Sequence, residues 1–437
     1  MGRSSTGSWP GCRSPKPTVR EALAGLTFRG RAFLAAGVIT ILCAVVVGQA
    51  PLIPVGVLLT ALPLLAAGWI GRSRYRLALT RTVSPRLVAA GQPSEVGLRL
   101  SNESRAPTGV LLLEDHVPYV LGTRPRFVLE GVGHGWRRQV TYQVRSEVRG
   151  HFDIGPMSVR VTDPFGLVEL GRAFHTTASL TVTPRTVPLP GIPLGGVWTG
   201  AGDNRPRAFA TGSAEDVTVR EYRQGDDLRR VHWRSSARVG ELMVRREEQP
   251  WQSRATVFLD NRLISHRGQG VASSLESAVS TAASIAVHLS QRGYAVRLVT
   301  ASGEQQGTAW HSRSAGVNTA PLLETLAAVE TAPSARLDTT WLSDEPGHGG
   351  LMVAVLGAVA DYDGPFLKRV QHHAATCAAI ALDVDEWAPL GAKVPAMSTA
   401  AALASTGWRA VTLRRTDHLE VVWQELGRLS SRQGVGS

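Results

Sequence analysis

Two apolar runs near the amino end constrain this chain more than anything else in it. Residues 32–49 and 52–70 contain no charged side chain, and only the break Gly48-Gln-Ala-Pro51 parts them. At 1.5 Å per residue each is about long enough to cross a hydrocarbon core of roughly 30 Å. They predict a transmembrane helical hairpin over residues 31–71. A cleaved leader would be followed by polar sequence, whereas here a second apolar span follows at once. A buried helical pair in a soluble core is the competing reading, and the lack of any polar interruption disfavours it.

Charge sets the expected orientation. The net charge of +12 at first suggests a polyanion partner, yet its distribution says otherwise. Arg3, Arg13, Lys16, Arg20, Arg29 and Arg31 face one acid, Glu21, before the first run. Arg72, Arg74, Arg76, Arg81 and Arg86 follow the second with no acid among them. Basic flanks outside a charge-free turn place both termini in the cytoplasm, at the plasma membrane. Cys12, Cys43 and Cys377 are scattered in a polar tail, an apolar run and a candidate strand, which suits a reducing compartment and no zinc site.

The remaining length is enough for two further domains. Residues 1–30, rich in Gly, Ser, Pro and Arg, and residues 431–437 read as disordered tails. Over 76–190, short alternating stretches such as Val96–Leu100, Val110–Leu113, Val140–Val144, Ser158–Val161 and Leu180–Thr183 predict an antiparallel β-sandwich. Asp163, Pro164, Phe165 and Gly166 have the composition of a turn, and Asp163 reads as a turn former before it reads as a metal ligand. Residues 191–254 hold a linker and a charged motif, the stretch Pro184–Pro206 being either a linker or a loop laid across the next domain. From 255 to 430 strands at Ala255–Leu259, Ala295–Thr300, Leu351–Leu356, Ala378–Leu382 and Arg409–Leu413 alternate with candidate helices at Ser273–Arg292, Thr319–Glu330, Pro365–Ala375, Ser398–Ser405 and His418–Leu429. Apolar strands with helices between them predict a doubly wound α/β domain.

The charged motif is the densest run of unusual residues. Gly225-Asp226-Asp227 precedes an expected helix from about Leu228 to Ala237, with Arg230, Arg234 and Arg238 on one stripe. Three readings compete for it. Arginines with Tyr222 and Trp233 would suit nucleic acid, but Ala214–Glu248 holds eight arginines and eight acids, a balance that fits an ion-pair lattice better than a phosphate track. A hydrolase built on His232 with Asp226 or Asp227 is a second reading, weakened because six positions put them on different helical faces. A clasp that couples domains or presents a docking face is the reading preferred, with no catalytic residue assigned.

The same residues carry a family resemblance. Arg220-Glu221-Tyr222, Gly225-Asp226-Asp227, Arg229, His232-Trp233 and Ser236-Ala-Arg238, at fixed spacing, resemble the signature of the domain-of-unknown-function 58 family, bacterial proteins often encoded beside MoxR-type AAA+ ATPases. Arg149–Pro156 followed by the Asp163–Gly166 turn is similar to the same family, where such a turn closes the sandwich. The resemblance implies a von Willebrand factor A-like α/β domain, a MoxR-type ATPase as partner, and a client protein that it does not name.

Von Willebrand A-like domains bind a divalent metal after the first strand, through Asp-x-Ser-x-Ser oxygens. Here the stretch is Asp260-Asn-Arg262-Leu-Ile264, so both hydroxyls are gone and Arg262 would repel a cation. A degenerate site is expected, with Asp260 paired to Arg262 or to an arginine of the clasp. No phosphate loop, dinucleotide fingerprint, His-Glu-x-x-His or nucleophile elbow occurs, and no cofactor is expected. The sum is a membrane-anchored cytoplasmic scaffold, its partners the lipid bilayer, the ATPase and a client, with a hydrolase or a membrane-tethered nucleic-acid binder as alternatives.

Overall fold

The structure, a computed structural model, describes residues 24–72, 77–102, 110–129, 136–163, 165–193, 218–221, 233–246, 254–301, 303, 319–342, 350–388 and 398–433. The chain divides into two units, residues 1–183 and 184–437.

Unit one opens with the helices α1 (Phe28–Val47) and α2 (Leu52–Arg72). The first begins four residues before the apolar run because Thr27 caps it, its hydroxyl accepting from the amide of Gly30 at 3.2 Å. Gly48, at φ 75°, ends it in the left-handed conformation that glycine adopts freely. The two helices cross where Gly37 lies against Gly56 and Thr60, and a Cβ on Gly37 would collide with that backbone. Small residues thus set the closeness of the hairpin.

A β-rich region follows. Its strands are β1 (Leu77–Ser84), β2 (Leu87–Ala89), β3 (Pro93–Asn102), β4 (Val110–Asp115), β5 (Arg126–Leu129), β6 (Arg137–Arg145), β7 (Gly150–Ile154), β8 (Met157–Thr162), β9 (Glu169–Phe174) and β10 (Ala178–Thr183). They form sheets of order β1-β3-β6, β2-β10-β7 and β5-β4-β8-β9. Pairing is antiparallel with one correction to the expectation: Leu87–Ala89 runs parallel to Thr181–Thr183. No hairpin joins these two strands, so nothing local fixes their relative direction. Alternate residues such as Val96, Leu98, Leu111, Leu113, Val159 and Leu180 point into one shared core.

One buried polar group ties the three sheets. Arg81 of β1 donates through Nη1 to the carbonyls of Ile154 at 3.0 Å and of Thr176, and through Nη2 to Asp115 of β4. Asp115 also accepts from the Tyr142 hydroxyl of β6 at 2.6 Å, while Arg81 Nε has no partner. Burial raises the Asp115 carboxyl above its ordinary range, against the opposing pull of Tyr142 and Arg81.

Unit two begins at 184, so residues 184–190, counted with the β-region from sequence, belong here. They lie across the α/β core because Leu189 and Ile192 bury apolar surface on it. The next elements are β11 (Thr218–Glu221), α3 (Trp233–Val239) and β12 (Met243–Arg246), with β11 and β12 antiparallel. Then come β13 (Arg254–Leu259), α4 (Ser274–Gln291), β14 (Ala295–Thr300), α5 (Ala320–Ala327), β15 (Leu351–Leu356), α6 (Gly364–His373), β16 (Thr376–Leu382), α7 (Thr399–Ser405), β17 (Arg409–Leu413) and α8 (Leu419–Gln433). The sheet order β14-β13-β15-β16-β17 is parallel throughout.

Each face of that sheet has its own core. Val257 and Leu259 face α4, α5 and α8, while Phe258, Ala354 and Ala379 face α6 and α7. A strand buried on both faces needs apolar residues at every position, which is why these runs do not alternate. The chain leaves β13 for β14 on one side and returns to β15 on the other. The strand order therefore reverses at β13 and β15, the place where open α/β sheets bind ligands outside their carboxyl ends.

Candidate functional site

Three candidate places came from the sequence: the charged motif, the turn at Asp163, and the end of the first α/β strand. Of the motif, Tyr222, Gly225, Asp226, Asp227, Arg229 and His232 lie outside the described residues, as does the expected helix start at Leu228. Arg220 and Glu221 pair with Val244 and Met243 across the β11–β12 ladder. Ser236, buried on α3, accepts from the amide of Met243 at 2.8 Å. The two ends of the motif thus meet through Met243. Helix α3 ends at Val239, two residues beyond the expected Ala237; Trp233 is 69% exposed, and Arg234 and Arg238 are exposed on one face.

The turn is organised by its aspartate. Asp163 accepts from the amides of Phe165 at 3.1 Å, Leu167 at 2.6 Å and Val168 at 2.7 Å. Its carboxylate is spent on backbone donors, as a turn former requires; Pro164 lies outside the described residues. Gly166, at φ 67°, accepts through its carbonyl from the Thr27 hydroxyl at 2.7 Å. The motif that sequence assigned to a closing turn is therefore the joint between the β-region and the start of α1.

The third place is a dense buried polar cluster. Asp260, Arg262 and Asp363 are all buried, at 0%, 0% and 2% exposure. Asp260 ends β13, and Asp363 lies in the turn before α6, across the crevice at which the strand order reverses. Arg262 fills it. Its Nε donates to Asp260 Oδ1 at 2.9 Å. Its Nη1 donates to Asp363 Oδ1 at 2.8 Å and to the Ala335 carbonyl at 2.9 Å. Its Nη2 donates to Asp260 Oδ2 at 2.9 Å and to Asp363 Oδ2 at 3.1 Å. A guanidinium has five N–H donors, and all five are used.

Electrostatics follow from that geometry. Burial would disfavour the charge on Arg262, but the bonds and charges of Asp260 and Asp363 outweigh it and hold the proton more tightly than in a free guanidinium. Beside the cluster, His266 Nε2 lies 2.6 Å from the carbonyl oxygen of Asp260, an acceptor only, so that nitrogen carries the proton. Nδ1 then accepts from the Ser274 hydroxyl at 3.0 Å. Burial pushes His266 below the ordinary imidazole range, against the pull of Asp260, and so favours the neutral ring. Asn261 clamps the neighbouring loop, donating to the Glu330 carbonyl and accepting from the amide of Ala301; α5 itself ends at Ala327, short of the expected Glu330.

These residues do not fit a divalent cation. Hard-cation sites need several free oxygen ligands around an open point, and here both carboxylates face a fixed positive charge already at that point. Among the described residues no three His, Cys, Asp or Glu side chains are grouped as a metal site needs. Of the two partners expected for Asp260 from sequence, Arg262 or an arginine of the charged motif, it is Arg262 that pairs with it. Asp363 was missed, because it stands 101 residues away and only the β13–β15 pairing brings it near. Asp383 lies 4.0 Å from Arg414 at the surface, and His372 and His373 each lie within hydrogen-bond reach of a carbonyl of their own helix, those of Lys368 and Arg369.

Comparison with known proteins places one stretch. Residues 218–345 match the family described as protein of unknown function DUF58. The matched stretch takes in the charged motif and the Asp260–Arg262 pair. No curated protein matches the chain. Solved structures similar to part of it include the CARDB domain of a Pyrococcus furiosus protein, 14% identical over 25% of this chain and 93% of that one, at a TM-score of 0.20. A chain from the complex of zinc 2-glycoprotein with prolactin inducible protein of human seminal plasma is 12% identical over 25% and 98%, at 0.20. The putative ApaA protein of Bordetella pertussis is 14% identical over 26% and 97%, at 0.18. Scores this low carry no argument about fold or function.

Proposed function

On the premise that residues 218–345 are a DUF58 segment, we propose that this chain is a membrane-anchored interaction protein. In this reading α1 and α2 span the plasma membrane, the β-region is a sandwich, and the α/β unit is a von Willebrand A-like domain, both facing the cytoplasm. The partner is a MoxR-type AAA+ ATPase, and the pair acts on a client protein. The ATPase rests on the family resemblance, and the orientation on the arginines outside the hairpin. The spans themselves are apolar all round and largely uncovered by protein, with Leu42, Val45, Val46 and Leu65 exposed, which suits lipid.

The observation that carries the reading is the closed carboxyl edge of the α/β sheet. Where this architecture offers a small ligand or a cation a crevice, Arg262 spends its own five donors on both carboxylates and a carbonyl. Exposed around it are the apolar side chains Leu263 at 61%, Ile264 at 42% and Tyr362 at 51%, with the charged Arg267 and Asp361 beside them. Such a rim suits the face of another protein better than bond chemistry.

The test is binding of full-length chain in lipid nanodiscs to a cognate MoxR-type ATPase, with and without nucleotide. The double variant Leu263→Glu/Ile264→Glu is expected to weaken binding at least tenfold, and Arg229→Ala to weaken it if the charged motif shares the face. Undiminished binding by the double variant would move the partner elsewhere, and no binding by the wild type would remove the ATPase from the account.

A further inference from the structure

The turn at Asp163 holds Phe165 at the mouth of the hairpin. Thr27 donates through its amide to the Leu167 carbonyl at 2.9 Å, and Glu169 through its amide to Gly25 at 2.8 Å. Leu26 forms a β-bridge with Val168. Leu167 and Val168 are buried against Ala67, with Leu26, Leu62 and Ala66 packed round them. Leu62, Ala66 and Ala67 belong to the apolar window Leu52–Trp69 of α2, so a loop of the β-region is seated on the spanning helix itself.

The depth of that contact can be read from the hairpin. Gly37 packs on Gly56 and Thr60, which sets the level of one antiparallel helix against the other. Nine residues before Gly37, roughly 14 Å along the axis, lies Phe28, and the same rise along α2 reaches the neighbourhood of Ala67 and Trp69. Phe28 is 88% exposed and Trp69 74% exposed. Phe165, 65% exposed, stands one residue from Gly166, over which the Arg29 guanidinium lies. Two aromatic rings at the helix ends, a third on the docked turn and the cations Arg29 and Arg31 make a belt of the kind that sits at a membrane–water boundary.

We propose that the Asp163–Gly166 turn is a third membrane contact, with Phe165 inserted in the interfacial layer of the bilayer on the side of both hairpin ends. This rests on the reading of α1 and α2 as spanning helices. The occupant is lipid, because the rim of this turn is continuous with the lipid-facing surface of the hairpin and carries the cations that anionic headgroups attract. Docking the turn on α1 and α2 then fixes the tilt of the β-region over the membrane, since Asp163 holds the loop rigid and Thr27 joins it to the helix.

The experiment uses full-length protein in nanodiscs of mixed zwitterionic and anionic lipid, with a polarity-sensitive thiol probe and lipids carrying quenchers at headgroup or mid-chain depth. Cys12→Ser removes the tail thiol, and Cys377 is buried, its thiol pushed up to about 12 by burial, so it does not react. Labels are compared at Phe165→Cys in a Cys43→Ser background, at native Cys43 on α1, and at Tyr119→Cys, which is 92% exposed in the β-region. The expected result is blue-shifted emission at 165 with headgroup-depth quenching stronger than mid-chain quenching, mid-chain quenching at 43, and none at 119. A probe at 165 as aqueous as that at 119, with 43 still in lipid, overturns the inference and leaves the anchor standing. Aqueous probes at both 43 and 165 overturn the anchor itself. A second variant, Thr27→Ala, is expected to move the probe at 165 towards water while 43 stays quenched; an unchanged probe would mean that the joint does not set the depth.

Discussion

Each unit buries an arginine against aspartate, and the two burials do different things. Arg81 sits where three sheets of the β-region converge and spends its donors on two carbonyls and Asp115, leaving Nε unpaired. Arg262 sits at the carboxyl edge of the α/β sheet and is matched donor for donor by two carboxylates and a carbonyl. The first is a staple between layers, placed where no ligand would enter. The second occupies a place that this sheet order reserves for ligands. Burial and charge alone do not distinguish a structural arginine from one that closes a site; its position relative to the strand ends does.

The largest effect separating them should come from removing the guanidinium. Breaking a buried ion pair from one side costs about 3–5 kcal/mol. Arg262→Met leaves two facing carboxylates without a cation and should lie at the upper end of that range. Arg81→Met strands only Asp115, which keeps Tyr142, and should lie at the lower end. Denaturant unfolding with probes in each unit checks the order, and equal losses would erase the distinction.

Removing one acid should reverse the ranking. Asp363→Asn leaves Arg262 its bidentate partner Asp260 and should cost about 1.5–3 kcal/mol, the value of hydrogen bonds to a charged group. Asp115→Asn takes from Arg81 the carboxylate it is bonded to and should cost more. If Asp363→Asn proved the more damaging, the two acids around Arg262 would not be sharing its charge.

Acid should act on the two units in opposite directions. Burial holds His266, and burial with Arg292 holds His288, below the ordinary histidine value, so unfolding lets them take up protons. Their contribution is complete above a pH of about 6.5 and is lost as pH falls below it. Asp115, raised by burial, behaves the other way: its contribution is complete at low pH and fades as pH rises through its folded value. Hydrogen exchange at pH 7.5 and 5.5, corrected for intrinsic rates, should show protection lost in the α/β core and not in the β-region. A His266→Gln chain with the full acid sensitivity would remove that residue from the explanation. The smallest effect is Tyr142→Phe, which removes one bond to the buried Asp115 and should cost about 1.5 kcal/mol, the low end for a bond to a charged group.

What sequence made legible follows the same division. The α/β strands are short, mainly apolar runs, and Ala295–Thr300, Leu351–Leu356 and Arg409–Leu413 coincide with their predicted bounds, even though the edge strand β17 is only partly buried. In the β-region β1, β2, β5, β7 and β9 gave no clear signal. Arg81 points inward from β1, and β2 has three residues, too few to show a period. Asp260 with Arg262 was readable because the two lie two residues apart at a strand end. Asp363 was not, since no spacing rule joins residues brought together by a sheet. The Asp163 turn was recognised by composition, but its partner Thr27 lies 139 residues from Gly166, beyond the reach of any local pattern.

Arg262 is the cation of the α/β edge. Calorimetric titration of Mg²⁺ and Mn²⁺ into the full-length protein, wild type against Arg262→Ser, tests it most directly. The account predicts no binding at this edge in the wild type and divalent binding in the variant, lost again in Arg262→Ser/Asp260→Asn. Metal binding by the wild type that disappears in Asp260→Asn would contradict it, because the crevice would then be open beside the arginine.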